Sequence, residues 1–130
     1  MGIKRFIEWI GLKEKLHAKN YAAPHVREGE IWWASIGENV GAEINGKSGL
    51  FTRPVIIFKK LDRGFYFTIS VTSKLKTGTW YVSFRQRGKT MAAYLSQARS
   101  IDYRRLYSKL GELDAEDFKR LKLGFEKLYL

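Results

Sequence analysis

Between Gly29 and Leu95 the chain is cut into strand-length apolar runs, EIWWASI, RPVIIFKK, FYFTISV, TWYVSF and TMAAYL. Each is rich in β-branched and aromatic residues, and the segments between them carry turn signals: the glycine-containing loop GENVGAEINGKSG, then LDRG, TSKLKTG and RQRGK. LDRG between two apolar runs reads as a hairpin of the longer-loop type. Short strands with frequent turns and no helix between them point to a small antiparallel barrel or sandwich rather than alternating βαβ units. The fold class expected is therefore mainly β, of the α+β kind.

Helices belong at the two ends. Ile3, Phe6, Ile7 and Ile10 form a helical stripe within Ile3 to Leu16, and the segment HAKNYAAPH after it reads as a linker whose proline biases Ala23 away from helix. At the other end Asp114 is placed as an N-cap, Asp117 as the third residue of a weak capping box, and Leu113 with Phe118 as a hydrophobic staple. Phe118, Leu121, Phe125 and Leu128 then line one face. This divides the chain into residues 1–28, a helical extension and linker, and residues 29–130, the barrel domain. A 130-residue chain suffices for one domain with its own core.

The net charge is +11, and it is unevenly spread: fourteen Lys/Arg against five acids lie between Gly29 and Leu110, but four against five beyond. The positive field thus belongs to the β segment, which favours a polyanionic partner through counterion release and steering. With no cysteine there is no disulfide, thiolate nucleophile or Cys-ligated metal, as suits a reducing cytoplasm. The apolar runs fall far short of the ~20 residues of a membrane-spanning helix, and the N-terminus has no secretory pattern. We therefore expect a cytoplasmic protein without a membrane partner.

The chemistry is narrowed by what is missing. His17 and His25, the only histidines, precede the β segment, and the five acids of that segment stand singly, so neither a histidine acid–base pair nor a Mg²⁺ cluster is expected. No HExxH, Walker, GxGxxG or GxSxG motif occurs, and no cofactor or metal is expected. What remains is Arg, Thr, Ser, Tyr, Gln and isolated carboxylates. That set suits phosphodiester transesterification in RNA, where the 2′-hydroxyl is the substrate's own nucleophile and the protein supplies orientation and charge.

The blocks GEIWWASIGENVGAE, RPVIIF, ISVTSK and LSQARSIDYRRL, followed by KLGEL and a closing helix, resemble in order and spacing the MazF/PemK (Kid) family of toxin–antitoxin ribonucleases, in a subgroup with an N-terminal helical extension. The resemblance spans roughly Gly29 to Leu128. It implies an SH3-like antiparallel β-barrel of the CcdB/PemK type with a C-terminal helix, acting as a homodimer. It also implies sequence-specific, metal-independent cleavage of single-stranded RNA, chiefly mRNA, to 2′,3′-cyclic phosphate and 5′-hydroxyl ends. The partners implied are single-stranded RNA, a cognate antitoxin with an acidic disordered tail that covers the RNA groove, and promoter DNA bound together with the antitoxin.

Residue by residue, Arg53 falls on the arginine of the family's RP element, where a guanidinium can hold the nonbridging oxygens of the scissile phosphate. Thr72 falls on the catalytic threonine, with Ser73 beside it as in Kid-like members. Glu43 matches the loop glutamate, either general base for the 2′-hydroxyl or a loop salt bridge or antitoxin contact. Gln97 either contacts a base or holds the loop, and Asp102 caps the turn DYRRL. Lys47, Lys74, Lys76, Arg85, Arg87 and Lys89 are loop cations placed for phosphate contacts. Trp80, Tyr81 and Phe84 are the stacking candidates; strand alternation puts Trp80, Val82 and Phe84 on one face, which buries Trp80 and leaves Tyr81 exposed. The chain departs from better-known members in a longer loop between Glu43 and Arg53, in Ser96 where several carry an acid, and in Ala42 where some carry histidine.

Two other readings stand beside the ribonuclease: a non-catalytic toxin of the CcdB type that poisons DNA gyrase, and a catalytically silent nucleic-acid-binding module. The extension has three possible docking places, its own barrel, a dimer partner or an antitoxin.

Overall fold

A computed structural model describes residues 5–74 and 77–130. Helix α1 (Phe6–His17) is followed by strands β1 (Glu30–Ser35), β2 (Thr52–Asp62), β3 (Phe65–Thr72), β4 (Tyr81–Gln86), β5 (Lys89–Asp102) and β6 (Leu106–Glu112), and by helix α2 (Ala115–Tyr129); a single 3-10 turn, Tyr103–Arg105, joins β5 to β6. All pairings are antiparallel, in the order β4-β5-β3-β2-β1-β6. Among the described residues no helix is long and apolar enough to cross a membrane.

Two hairpins are tighter than their sequences suggest. Asp62 still pairs with Phe65, so the β2–β3 turn is only Arg63–Gly64, with Gly64 at φ 77°. LDRG is therefore half strand and half two-residue turn, not a longer loop. Gln86 pairs with Lys89 around Arg87–Gly88, whose φ values of 51° and 77° are both positive, as a turn matched to the strand twist requires.

The strongly bent β5 pairs with β4 and the end of β3 through its first half and with the start of β3 through its second, the register slipping between Ile69 and Val71. That bend curls the sheet into a barrel-like form, bringing the edge strands together: a Cβ on Gly111 of β6 would lie 2.1 Å from Gln86 Nε2 of β4. Strand β6 is an element the sequence pattern does not announce, because LYSKLGE has three exposed residues in a row and no clean alternation.

Alternation along the strands makes two cores. Ile31, Ile56, Ile69, Val71, Phe84, Ala93 and Leu95 face α2, which contributes Leu121, Phe118, Phe125 and Leu128, the expected stripe. The cap is as expected too: Asp114 Oδ1 accepts from Asp117 N at 2.8 Å. Arg120 of α2 also donates to Ser83 O on β4 at 2.6 Å. On the other face Ala34, Val55, Ile57, Tyr66, Ile101 and Leu106 pack with Val26 from the segment after α1.

For α1 the expected stripe is wrong in direction. Phe6, Ile7 and Ile10 are 42%, 85% and 58% exposed, while Trp9 and Leu16 are buried with Leu12 beside them; Ile3 lies outside the described residues. Trp9, Leu12 and Leu16 are spaced as well for one face as the aliphatic set. The indole decides between them, because the body offers a slot over Gly37 that takes it.

Glu30, at the head of β1, is 3% exposed and accepts from Arg27 N (3.0 Å) and Trp32 Nε1 (3.0 Å) and pairs with Lys109 Nζ (3.1 Å). Burial pushes its pKa up, but the hydrogen bonds from Arg27 N, Trp32 and Lys109 outweigh it and hold the carboxyl below the usual range. A depressed carboxyl adds stability that is present above its unfolded pKa of ~4.3 and is lost as pH falls through the lower folded value. Glu30→Ala should lower stability by about 2 kcal/mol and the melting midpoint by roughly 5–10 °C. Melts at pH 7 and pH 3 should show the gap between wild type and variant narrowing in acid.

Candidate functional site

The RP dipeptide has a local logic. Proline has no N–H to give, and the β2–β3 ladder stops at Val55↔Ser70, one residue after Pro54. Continued by one pair, the register sets Pro54 opposite Val71, whose carbonyl instead accepts from Arg53 Nη1 at 3.4 Å. Arg53 Nε donates to Asn45 O at 2.9 Å. The guanidinium is thereby aimed by two main-chain carbonyls, and burial lowers its pKa from the ordinary arginine value.

Asn45 belongs to the loop of residues 36–51, which is built around a single carbonyl. Phe51 O accepts from Ile36 N (2.9 Å) and Gly37 N (3.3 Å), closing the neck. Phe51 adopts φ 53° and is 2% exposed, an unfavourable conformation for a bulky residue. Gly46 donates to Gly37 O at 2.8 Å, and a Cβ there would fall 1.7 Å from Phe51 O, so no other residue fits. Asn39 completes the brace, donating through its side chain to Ile36 O and Ile44 O while its N–H reaches Asn45 Oδ1.

This loop walls two cavities. The first, about 550 Å³, opens where the edges of the sheet approach; Trp33, Pro54, Val71, Met91 and Leu110 make an apolar floor. Among the described residues its polar lining is Arg53, Lys47, Arg87 and Lys89, four cations, with the hydroxyls of Ser48, Thr52 and Ser73 and the amide of Gln86, and no carboxylate. The second, about 410 Å³, has Glu43, Asn39, Ser96, Gln97 and Arg99 in its lining. Gln97 spends its amide on the loop, accepting from Ile44 N (3.1 Å) and donating to Ala42 O (3.2 Å). Glu43 is exposed, and its Oε1 accepts from Val40 N at 2.8 Å. Burial lowers the pKa of Arg99, with Glu43 working against that shift. Arg105 is pushed down to about 10 by burial and by the neighbouring Arg99, against Asp102; it donates to Ser35 O at 3.2 Å.

The structure thus gathers some sequence-derived residues and separates others. Arg53, Ser73, Lys47, Arg87 and Lys89 share the first cavity, whereas Glu43 and Gln97 line the second. Thr72 is 7% exposed and lines neither; its Oγ1 accepts from Lys74 N at 3.2 Å, shaping the turn that presents Ser73 and Lys74. Lys76 lies outside the described residues. Arg85 points away from the cationic cavity, bonded to Thr90 Oγ1 and Gly88 O in a cleft with Asp114 and Asp117. Asp102 caps its turn through Arg104 N at 2.9 Å, as expected.

Among the aromatics, Phe84 is buried but Trp80 is not: it is 44% exposed, set in the turn before β4 and edge-on to Tyr129. Alternation fails at Trp80 because the strand starts one residue later. Tyr81 is half-buried against Tyr94, ring centroids 4.6 Å apart. Three residues escaped the sequence reading. Trp33 forms cavity floor, while Arg99, in β5, and Arg105, in the turn after it, are half-buried cations in LSQARSIDYRRL; the signal was there, as arginines in a block otherwise assigned by Gln97 and Asp102. His17 and His25 line two other clefts and neither of these cavities. Among the described residues no three His, Cys, Asp or Glu side chains gather where a metal ion could sit.

The family of PemK-like, MazF-like toxins of type II toxin–antitoxin systems matches residues 27–129 of the chain. Similar solved structures include MazF from Deinococcus radiodurans, at 21% identity and TM-score 0.66, covering 84% of this chain and 97% of that one. A MazE-MazF structure from the same organism aligns at 18% identity and TM-score 0.61, covering 84% and 96%. The Mycobacterium tuberculosis toxin MazF-mt6 aligns at 13% identity and TM-score 0.60, covering 77% and 95%. At these identities the structural likenesses establish the fold. No curated protein matches the chain by sequence.

Gln97→Ala should release the Ala42–Ile44 segment while leaving the sheet intact. Two hydrogen bonds worth about 0.5–1.5 kcal/mol each are lost, so the Ile44 amide should exchange with solvent about tenfold faster. Amide hydrogen exchange read residue by residue, with the Ile56 amide as internal control, checks this.

Proposed function

The chain belongs to the PemK-like, MazF-like toxin family of type II toxin–antitoxin systems, and from that premise we propose that it is an endoribonuclease that cuts single-stranded RNA at a short sequence without a metal ion. The observation that carries the reading is the cavity of four cations, no carboxylate and an apolar floor. Cations around an apolar surface fit a phosphate chain with flat bases, the floor of Trp33 offering a stacking face.

In this reading the scissile phosphate sits at Arg53. Two of the five guanidinium N–H groups are engaged by Asn45 O and Val71 O, and the other three face the phosphate and offset the charge that grows on its nonbridging oxygens. The 2′-oxygen attacks phosphorus, the P–O5′ bond breaks, the leaving O5′ takes a proton from water, and a 2′,3′-cyclic phosphate and a 5′-hydroxyl end result. Among the described residues Glu43 is the one carboxylate lining either cavity; in this reading the bound RNA spans the loop between the two cavities, and its 2′-hydroxyl gives its proton to Glu43. Thr72 holds the turn behind Arg53, and Ser73 adds a hydroxyl to the phosphate. Lys47, Arg87 and Lys89 take flanking phosphates, with Lys74 at the rim. An antitoxin with an acidic segment would cover the same cations, and promoter DNA would be bound only in that complex. A homodimer in the cytoplasm is the assembly we propose.

Purified protein should cut a long RNA in EDTA, primer extension mapping one recurrent sequence. Arg53→Ala should slow cutting by about 10²–10³-fold, the loss seen for a single oxyanion donor, and Thr72→Ala should slow it with the fold intact. Glu43→Gln should slow cutting with the fold intact. Unimpaired cutting by both Arg53→Ala and Thr72→Ala sinks the assignment. A wild-type protein that shifts RNA in a gel without shortening it is a silent binding module, and one that blocks gyrase supercoiling is a poison of the CcdB type.

A further inference from the structure

The family match begins at residue 27, so α1 lies outside it. Its largest side chain is nonetheless buried, and the contact is with the loop of residues 36–51. Trp9, 6% exposed, fills the space above Gly37, where a Cβ would come within 2.1 Å of the indole. The indole also packs on the strained Phe51 at 5.5 Å between centroids. Arg5 also lies over Phe51, its guanidinium 4.2 Å from the ring centroid, and its main-chain N–H donates to Glu38 Oε2 at 3.2 Å. The far end of the helix is tied as well, His17 O accepting from Arg104 Nη1 at 3.0 Å.

We infer that α1 is a clamp on this loop, with Trp9 a positioning residue for Arg53. The contacts form an unbroken series. Trp9 presses on Gly37 and Phe51, the two sides of the loop neck; Gly37 O holds Gly46 N; and Asn45, next to Gly46, gives the carbonyl that orients Arg53 Nε. Phe51 at positive φ supplies a reason for the clamp: a conformation that costs on the order of 1–3 kcal/mol persists only where surrounding contacts enforce it. Without Trp9 and Arg5 its ring loses both of these contacts, and the loop can relax away from Arg53.

The kinetic consequence rests on the ribonuclease reading; the structural consequence does not, and the test separates them. With full-length protein and a long single-stranded transcript, Trp9→Ala should lower kcat about tenfold or more while KM changes by no more than about threefold, because Arg53 and Lys47 shift with the loop whereas Arg87 and Lys89, on the β4–β5 hairpin, stay in place. Trp9→Phe, which keeps a ring in the slot, should recover most of the rate. In parallel, the Gly46 and Lys47 amides, both hydrogen-bonded in the folded loop, should exchange about tenfold faster in Trp9→Ala while those of Ile56 and Ile69 stay unchanged. Wild-type rate and exchange in Trp9→Ala overturn the clamp. If the wild type cuts no RNA, the ribonuclease reading fails, and the exchange measurement still decides the clamp. Should Trp9→Ala not fold, Arg5→Ala removes the guanidinium from Phe51 alone and is held to the same exchange criterion.

Discussion

One carbonyl organises the functional end of this molecule. Phe51 O takes two N–H groups from the opposite side of a sixteen-residue loop, and the Asn45 carbonyl that orients Arg53 Nε is placed by that closure. To point the carbonyl inward, Phe51 must sit at φ 53°, and the approach of the two loop arms leaves no room for a Cβ at Gly46. Strain of this kind is held in place from outside, here by an indole and a guanidinium from a helix remote in sequence. The arrangement exchanges loop entropy for a fixed guanidinium. That is the exchange a site needs when charge placement, rather than a reactive group, performs the chemistry.

The sheet was legible in the sequence because its strands are buried on one face or both, so their apolar runs are uninterrupted and their turns carry glycine. The closing helix was legible through its cap and stripe. Strand β6 was not, since LYSKLGE runs along an edge with Tyr107, Ser108 and Lys109 exposed and owes its strand state to pairing with β1. The helix α1 was found but faced the wrong way. Periodicity gives the axis of a helix, yet two apolar sets share that axis here, and only the slot at Gly37 selects the indole.

At the site, residue types were easier to infer than their distribution. Arg53 was marked by the RP pair, and the structure supplies the reason for the pairing: the proline leaves a strand carbonyl without its donor and the arginine takes it. Glu43 and Gln97 were marked too, but one sequence cannot say that a loop divides them from Arg53 into a separate cavity. Arg85 and Arg87 look equivalent in RQRGK. A turn with two positive φ values sends one to the cavity and ties the other back to Gly88 O on the far face.

The meeting of Gln86 with Gly111 has a consequence for solubility. A six-stranded sheet that stays open has two edge strands, each a row of unsatisfied main-chain groups onto which a strand of another molecule could add. Here β4 and β6 lean against each other across a glycine, and Arg120 occupies Ser83 O, so part of each edge is already spoken for. Arg85 on β4 is a charged side chain of the kind that discourages strand addition at an edge. The curl that opens the cavity at Arg53 also leaves less free edge onto which a strand of another molecule could add.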